Sequence, residues 1–373
     1  MVVTTEDFRG DDAPKDDRRR DDDRVKDERG EAAPSLTLQS LSVDVLVVGV
    51  TYLDVVVADL DEFPGPGEEA RAGGLTLCPG GIATRAVATA RLGLDTVLST
   101  SLGTDRAGAL VRAALGQEAV RLDLADDLAG ASTPVTVSVA HDGDRRMFTR
   151  DSLAPVRQPR MLLDDGMCRC IMVDLRPGQD EILPLLVDVW TAGAYVVADV
   201  GWDPSGIWDP AVLKPLSVCD LFTPNAVEAM AYTGADTPVD AARRLAEQVP
   251  LAVVTDGARG VHAASLEGTR PCEVFVPAVT AYGTRQRDAT GAGDVFGAAL
   301  VAGTLWGLPL ADRLAFGALC AALSLSSLGG APGAPGWTEL QRWWSRALQQ
   351  GDSPVLSRYE FLDSLLADQR CSA

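Results

Sequence analysis

The chain has 373 residues, 46% of them apolar and 23% charged, enough material for a sizeable core in one α/β domain or two. A formal net charge of −20 argues against a nucleic-acid partner, which would need a basic stripe that the foldable region lacks. No apolar run reaches the roughly 18 residues that span a bilayer, and the N-terminus lacks the apolar stretch of a signal peptide. Seven scattered cysteines do not form a disulfide framework. Reduced thiols, no membrane and a cytoplasmic location are therefore expected. Cys168 and Cys170 offer two ligands where tetrahedral zinc needs four, so no structural zinc is expected.

Residues 1–32 carry 12 acidic and 8 basic side chains, a net of −4, with hardly a large apolar residue after Phe8. Such a segment buries too little to offset its chain entropy, so residues 1–40 read as a disordered charged tail. From Ser42 the pattern changes to Val43-Asp44-Val45-Leu46-Val47-Val48-Gly49, a buried strand that opens a domain over 41–337. Strands at 55–60 and 70–77 flank the Pro/Gly-rich loop 63–67. A helix over 82–92 stops at Gly93, followed by a strand at 95–101 and a helix at 106–115. Residues 134–140 and 145–149 alternate in β-branched residues around the Asp142-Gly143 turn, a hairpin signature. Strands at 170–174, 195–199, 221–223 and 252–255 then alternate with helices such as 226–232 and 241–248. This alternation predicts an α/β fold with a mainly parallel sheet and helices on both faces. Helices over 294–305 and 310–328 follow, and residues 338–373 read as a C-terminal helical extension, amphipathic over 337–367.

The strongest local signal is Asp288-Ala289-Thr290-Gly291-Ala292-Gly293-Asp294, which leads straight into a helical run. A Gly-Ala-Gly turn opening a helix points several N–H groups into one space, where the helix dipole adds positive potential, so it reads as an anion hole. An acid in the first helical turn is ordinarily just a partner for that dipole; beside Gly-x-Gly, Asp294 becomes a candidate base for a hydroxyl. Thr223-Pro224-Asn225-Ala226-Val227-Glu228 reads on its own as a helix start with a capping box.

The run 288–296 resembles the signature D-[TA]-[ST]-G-A-G-D-x-F of ribokinase-like (PfkB) kinases. Residues 223–229 resemble that family's T-P-N-x-x-E-A element, and 253–261 its V-V-T-x-G-x-x-G-V element, in the family's order. The resemblance, which runs from about residue 43 to 337, implies a mainly parallel sheet flanked by helices with a small β-sheet lid, here built from about 68–77 and 133–150. It implies ATP-dependent phosphorylation of a hydroxyl on a small sugar or sugar-like acceptor. Asp294 would then be the base, with Gly291, Ala292 and Gly293 stabilising the transferred phosphoryl. Asn225 and Glu228, three apart on one helical face, would position Mg2+ through its waters. Thr255, Gly257 and Gly260 would approach the nucleotide, the glycines leaving room for it. Asp288 and Thr290 match positions that hold a monovalent cation such as K+, and lids in the family often pair across a homodimer.

The family's first signature is matched by Pro79-Gly80-Gly81 and residues 86–93, with one departure. Its Gly pair lets backbone approach the acceptor, and an Asn normally follows; Thr84 or Arg85 stands there instead. Asp54 matches the acid that holds two sugar hydroxyls. The open alternatives are a nucleoside kinase of the same family and a kinase-fold binding protein without turnover. A nicotinamide-binding G-x-G-x-x-G after the first strand and a P-loop are both absent from the sequence.

Overall fold

Valine-rich strands form the centre of the molecule because their side chains can be buried on both faces of a sheet at once. The computed structural model describes residues 43–141, 144–151, 168–178, 181–267, 270–282 and 285–372. The charged segment 1–40 and the Asp142-Gly143 turn lie outside them. The chain runs β1 (Val43–Val48), β2 (Thr51–Leu60), β3 (Ala72–Gly81), α1 (Ile82–Arg91), β4 (Thr96–Gly103), α2 (Arg106–Leu115) and β5 (Arg121–Leu128). It continues through β6 (Val135–His141), β7 (Asp144–Arg150), β8 (Cys168–Leu175), α3 (Ile182–Thr191), β9 (Tyr195–Val200) and a 3₁₀ stretch, Pro210–Val218. Next come β10 (Leu221–Phe222), α4 (Ala226–Thr233), α5 (Pro238–Leu245), β11 (Leu251–Thr255), a short 3₁₀ turn (Gly257–Arg259), β12 (Val261–Glu267) and β13 (Arg270–Val276). Helices close the chain: α6 (Ala292–Leu305), α7 (Leu310–Ser324), α8 (Gly330–Gly333), α9 (Trp337–Gln350), α10 (Ser353–Tyr359) and α11 (Phe361–Ser372).

Nine strands form the large sheet in the order β13-β12-β11-β10-β9-β8-β1-β4-β5. Neighbours from β11 across to β5 are parallel, whereas β12 and β13 add an antiparallel edge. In β1 the alternation is visible residue by residue: Val45 and Val47 join a core shared with α1, α6 and α7, while Leu46 and Val48 join one shared with α3, α4 and α5. The connections from β1 lead to β4 on one side, and β8 lies on the other. Ligands in open α/β sheets bind at such a reversal, beyond the carboxyl ends of the strands.

A second sheet, β3-β2-β6-β7, has antiparallel β2/β3 and β6/β7 pairs and a parallel β2/β6 pair. Strands β2 and β3 reach further toward the body than the composition suggested, pairing from Leu60 and Ala72 to Thr51 and Gly81. Glycine permits the last step. Gly81 has φ 59°, and a Cβ there would lie 2.6 Å from the Tyr52 ring and the Val50 carbonyl oxygen. Strand β5 was not legible in Arg121–Leu128, whose mixed polar pattern is that of a half-exposed sheet edge.

The tail over 337–372 folds as three helices that close the core cluster on the α7 side. Trp343 is buried, edge-on to Tyr359 at 4.9 Å and stacked on Tyr282 at 5.9 Å. Its Nε1 donates to the Thr280 carbonyl at 3.1 Å, so the loop after β13 is tied to the extension. Trp343→Ala should therefore cost about 3–5 kcal/mol, the usual range for emptying a buried aromatic site. Chemical denaturation would register it as a lower midpoint, and an unchanged midpoint would show that α9 is only loosely docked.

Candidate active site

The loop before α6 is shaped by one carboxylate. Asp288 Oδ1 accepts from the Thr290 amide (2.9 Å) and hydroxyl (2.7 Å), and Oδ2 accepts from the Gly329 amide at 2.8 Å. Gly291, the N-cap, sits in the left-handed region at φ 72°, and a Cβ there would come within 2.5 Å of Gly330 Cα. The turn therefore needs glycine for its conformation and for its packing on α8. The first N–H groups of α6 lack partners within the helix. That of Ala292 reaches the Ala289 carbonyl at 3.3 Å, while the space beside Gly293 is open: a methyl group on its Cα would meet no atom within 4 Å.

Asp294 lies in the first turn of α6, with its side chain 26% exposed, and it is not alone. Arg85 Nε, from α1, donates to Asp294 Oδ1 at 2.9 Å, Nη2 donates to Asp199 Oδ2 at 2.6 Å, and Nη1 lies 2.9 Å from Asp174 Oδ1. Asp174 and Asp199 are register partners in the adjacent parallel strands β8 and β9. Two like charges abreast repel, and a cation between them removes the conflict. Burial works against the charge on Arg85, yet the three carboxylates outweigh it and raise its pKa. Burial pushes Asp294 above the ordinary carboxylate range, opposed by Arg85, and pushes Asp199 well above it against the same opposition.

On the other side of Asp294, Asp54 of β2 is buried, and its carboxylate occupies the place that a side chain on Gly80 would need. Burial, followed by the charges of Asp294 and Asp288, pushes Asp54 up to about 7. Thr84 is buried with its methyl group facing Gly291 and Gly330, so it packs the loop. From the second sheet, Arg145 of β7 donates to the Ala289 carbonyl at 3.1 Å, and the hydroxyls of Ser138 and Thr290 are 3.4 Å apart. Arg176, past the end of β8, donates to the Tyr52 hydroxyl at 2.8 Å.

Asn225 and Glu228 begin α4 as a full capping box: Asn225 Oδ1 accepts from the Glu228 amide and Glu228 Oε2 from the Asn225 amide, each at 3.0 Å. The plain helix-start reading is thus present, and it leaves Glu228 Oε1 over. Burial pushes Glu228 up to about 7, opposed by the Asn225 N–H. Thr255 ends β11 and bridges to Asn225. The glycines beyond it have reasons of their own. Gly257 has φ 54° in the turn, and a Cβ on Gly260, φ 122°, would fall on the Val276 carbonyl oxygen. At Gly260 the close approach is therefore by the protein's own backbone, not only by a ligand.

The structure brings Asp54, Gly80, Gly81, Thr84, Arg85, Asp288, Thr290, the Gly291-Ala292-Gly293 turn and Asp294 into one region. Coulombic coupling of Glu228 to Asp294 and Arg85 brings α4 within reach of it. Asp174 and Asp199 were missed by the sequence reading. Their signal is a polar residue one position before the end of a valine-rich strand, where an open α/β sheet presents its site.

A sheet with carboxylates at its strand ends, next to a helix opened by Gly-Ala-Gly, sets acids beside a helix start suited to an anion. Residues 43–336 match the family model described as pfkB family carbohydrate kinase, so the chain belongs to that family of ATP-dependent carbohydrate kinases. It is 31% identical over 293 residues to a fructokinase of Klebsiella pneumoniae, covering 72% of this chain and 93% of the relative. A ribokinase of Arabidopsis thaliana solved with ribose and ATP aligns at TM-score 0.68 and 24% identity, over 81% of this chain and 99% of the other. A ribokinase II of E. coli solved with ATP and Mg2+ aligns at 0.67 and 19% identity, over 82% and 99%. Among the described residues no helix is long and apolar enough to cross a membrane.

A carboxyl group whose pKa is raised by folding favours the folded state while protonated. That contribution is complete below the unfolded value near pH 4 and is lost as pH rises through about 7 for Asp54. Asp54→Asn should consequently gain stability relative to the wild type between about pH 5 and about pH 8, by at least about 2 °C in thermal midpoint. A difference that does not vary with pH would show that Asp54 is well solvated.

Proposed function

We propose that the enzyme transfers the γ-phosphoryl group of ATP to a hydroxyl of a small sugar or sugar-like acceptor, with Asp294 as the base. The observation that carries this reading is the placement of the Asp294 carboxylate in the first turn of α6, beside the open space over Gly293 and held by Arg85. Asp294 accepts the hydroxyl proton as the oxygen attacks, and the amides of Gly291, Ala292 and Gly293 stabilise the negative charge spread over the phosphoryl oxygens. Asp54 orients the acceptor by accepting from two of its hydroxyls, with Gly80 and Gly81 as the backbone wall.

The nucleotide lies along Thr255, Gly257 and Gly260. Mg2+ fits the all-oxygen donors of Asn225 and Glu228, since a carboxylate held up to about 7 by burial is one that a cation and its waters would relieve. When bound, Mg2+ neutralises phosphate charge. Asp288 and Thr290 supply oxygens for K+, though both Asp288 oxygens already accept from the loop. The sheet β3-β2-β6-β7, in which β2 joins the strands expected within 68–77 and 133–150, is the lid, and the Arg145 bond to Ala289 supports its closure over the anion loop. Leu75, Leu77, Met147 and Phe148 are exposed on its outer strands, which supports pairing of two lids in a homodimer. Light scattering should then give twice the chain mass, falling toward the monomer in Leu75→Asp/Phe148→Asp; a monomeric wild type would remove this pairing. The domain so defined is 41–337, with 338–373 as a helical extension.

ADP release with ATP, Mg2+ and K+ across free sugars, sugar acids, nucleosides and sugar phosphates tests the reading. Acceptor-dependent ADP is expected from the wild type with a sugar. Asp294→Asn should lose at least about 100-fold in kcat, the scale of a general base, while ATP binding by calorimetry stays nearly intact. Full turnover in Asp294→Asn would remove Asp294 as base. Turnover confined to nucleosides would move the acceptor class to them, and silence throughout would favour a binding protein on a kinase fold.

A further inference from the structure

Arg85 departs from the signature that it interrupts, and its surroundings say what it does. The side chain is 3% exposed, and its nitrogens are all directed at carboxylates: Nε at Asp294, Nη2 at Asp199 and Nη1 at Asp174. The contacts differ in kind. Those to Asp294 and Asp199 are hydrogen bonds, whereas Nη1 and Asp174 Oδ1 face each other at 2.9 Å without hydrogen-bond alignment. A guanidinium surrounded in this way has no free edge for an anionic substrate. Its planar fork instead fixes where each carboxylate can stand.

Other charges also face Asp294. They are Asp174 from β8, Glu228 from α4, Asp54 from β2 and Arg145 from β7, while Arg176, just past the end of β8, and Asp199 from β9 stand beside Asp174. Carboxylates outnumber cations, and Arg85 is the cation in hydrogen-bond contact with Asp294. It takes one lone pair of Oδ1, which leaves Oδ2 the less engaged oxygen for the proton of an acceptor hydroxyl.

We propose that Arg85 is the positioning residue of this site: clamped by Asp174 and Asp199, it keeps Asp294 ionised and turns one carboxylate oxygen toward the acceptor hydroxyl. The inference rests on Asp294 as the base. It accounts for the arginine in the Thr84-Arg85 stretch where the family pattern has an asparagine, and for the pair of acids abreast on β8 and β9 that hold the guanidinium. An ionised base is needed for turnover, so activity rises as pH passes the pKa of Asp294. Loss of the cation moves that acid limb to higher pH.

The test is kcat and KM from about pH 5 to about pH 9 for wild type, Arg85→Gln, Arg85→Lys and Asp294→Asn, with thermal midpoints to verify folding. Arg85→Gln should shift the acid limb up by about one pH unit or more, leaving the acceptor KM within about twofold. Arg85→Lys should keep the limb near its wild-type position while kcat drops about tenfold, because an ammonium carries charge without the fork. An unmoved limb in folded Arg85→Gln, or a raised acceptor KM at unchanged kcat, would overturn the proposal. Should Arg85→Gln not fold, full kcat in Arg85→Lys would overturn it. Turnover by Asp294→Asn would remove the base itself, so the two failures are distinguishable.

Discussion

One guanidinium sits among three carboxylates at the centre of this molecule, and the arrangement of everything near it follows from that. Parallel pairing sets Asp174 of β8 beside Asp199 of β9, an arrangement that would repel if left alone. Arg85 reaches both from α1 and extends a third bond to Asp294 at the start of α6. The ion cluster thereby joins the sheet to the two helices that carry the most distinctive sequence in the chain. Burying four charges is costly, and a net excess of negative charge remains, so the cluster is poor material for stability alone. Its position at the carboxyl ends of the strands makes functional sense of that expense.

The same excess of acid explains the titration behaviour around the site. Asp54, Glu228, Asp199 and Asp294 are all pushed upward by burial, and each also feels another carboxylate. A site that binds ATP is usually thought of as basic. Here the protein carries −20 overall, and the positive potential near these acids is local: the first amides and dipole of α6, and the Arg85 guanidinium.

Glycines tie the two sheets to this centre. Gly80 and Gly81 let β3 run past the Asp54 carboxylate and the Tyr52 ring into α1, so the strand beside Asp54 and the helix carrying Arg85 are one continuous stretch of chain. Gly260 lies in a similar way against the backbone at Val276. On the far side, α9 holds the loop after β13 through Trp343 and Thr280, and that loop leads to Asp288.

Much was legible beforehand. Strong two-residue and helical periodicities placed β1, α1, α2, β6 and α6 nearly where they lie, because local burial patterns and glycine stops decide such elements without help from distant residues. The Asp288–Asp294 run could be read as a glycine turn opening a helix for a similar reason: turn, dipole and acid are all within one short stretch. Other features were beyond the sequence. The β5 edge has too weak a pattern, and the antiparallel β12/β13 edge depends on which strand finds β11. Asp174 and Asp199 became site residues only through strand register, and Arg85 read as a mere substitution until three segments far apart in the chain converged on it. A sequence determines by itself what is settled within a few residues; pairing register and the meeting of remote charges are decided by the whole fold, since only there do the electrostatic costs of one segment meet their compensation in another.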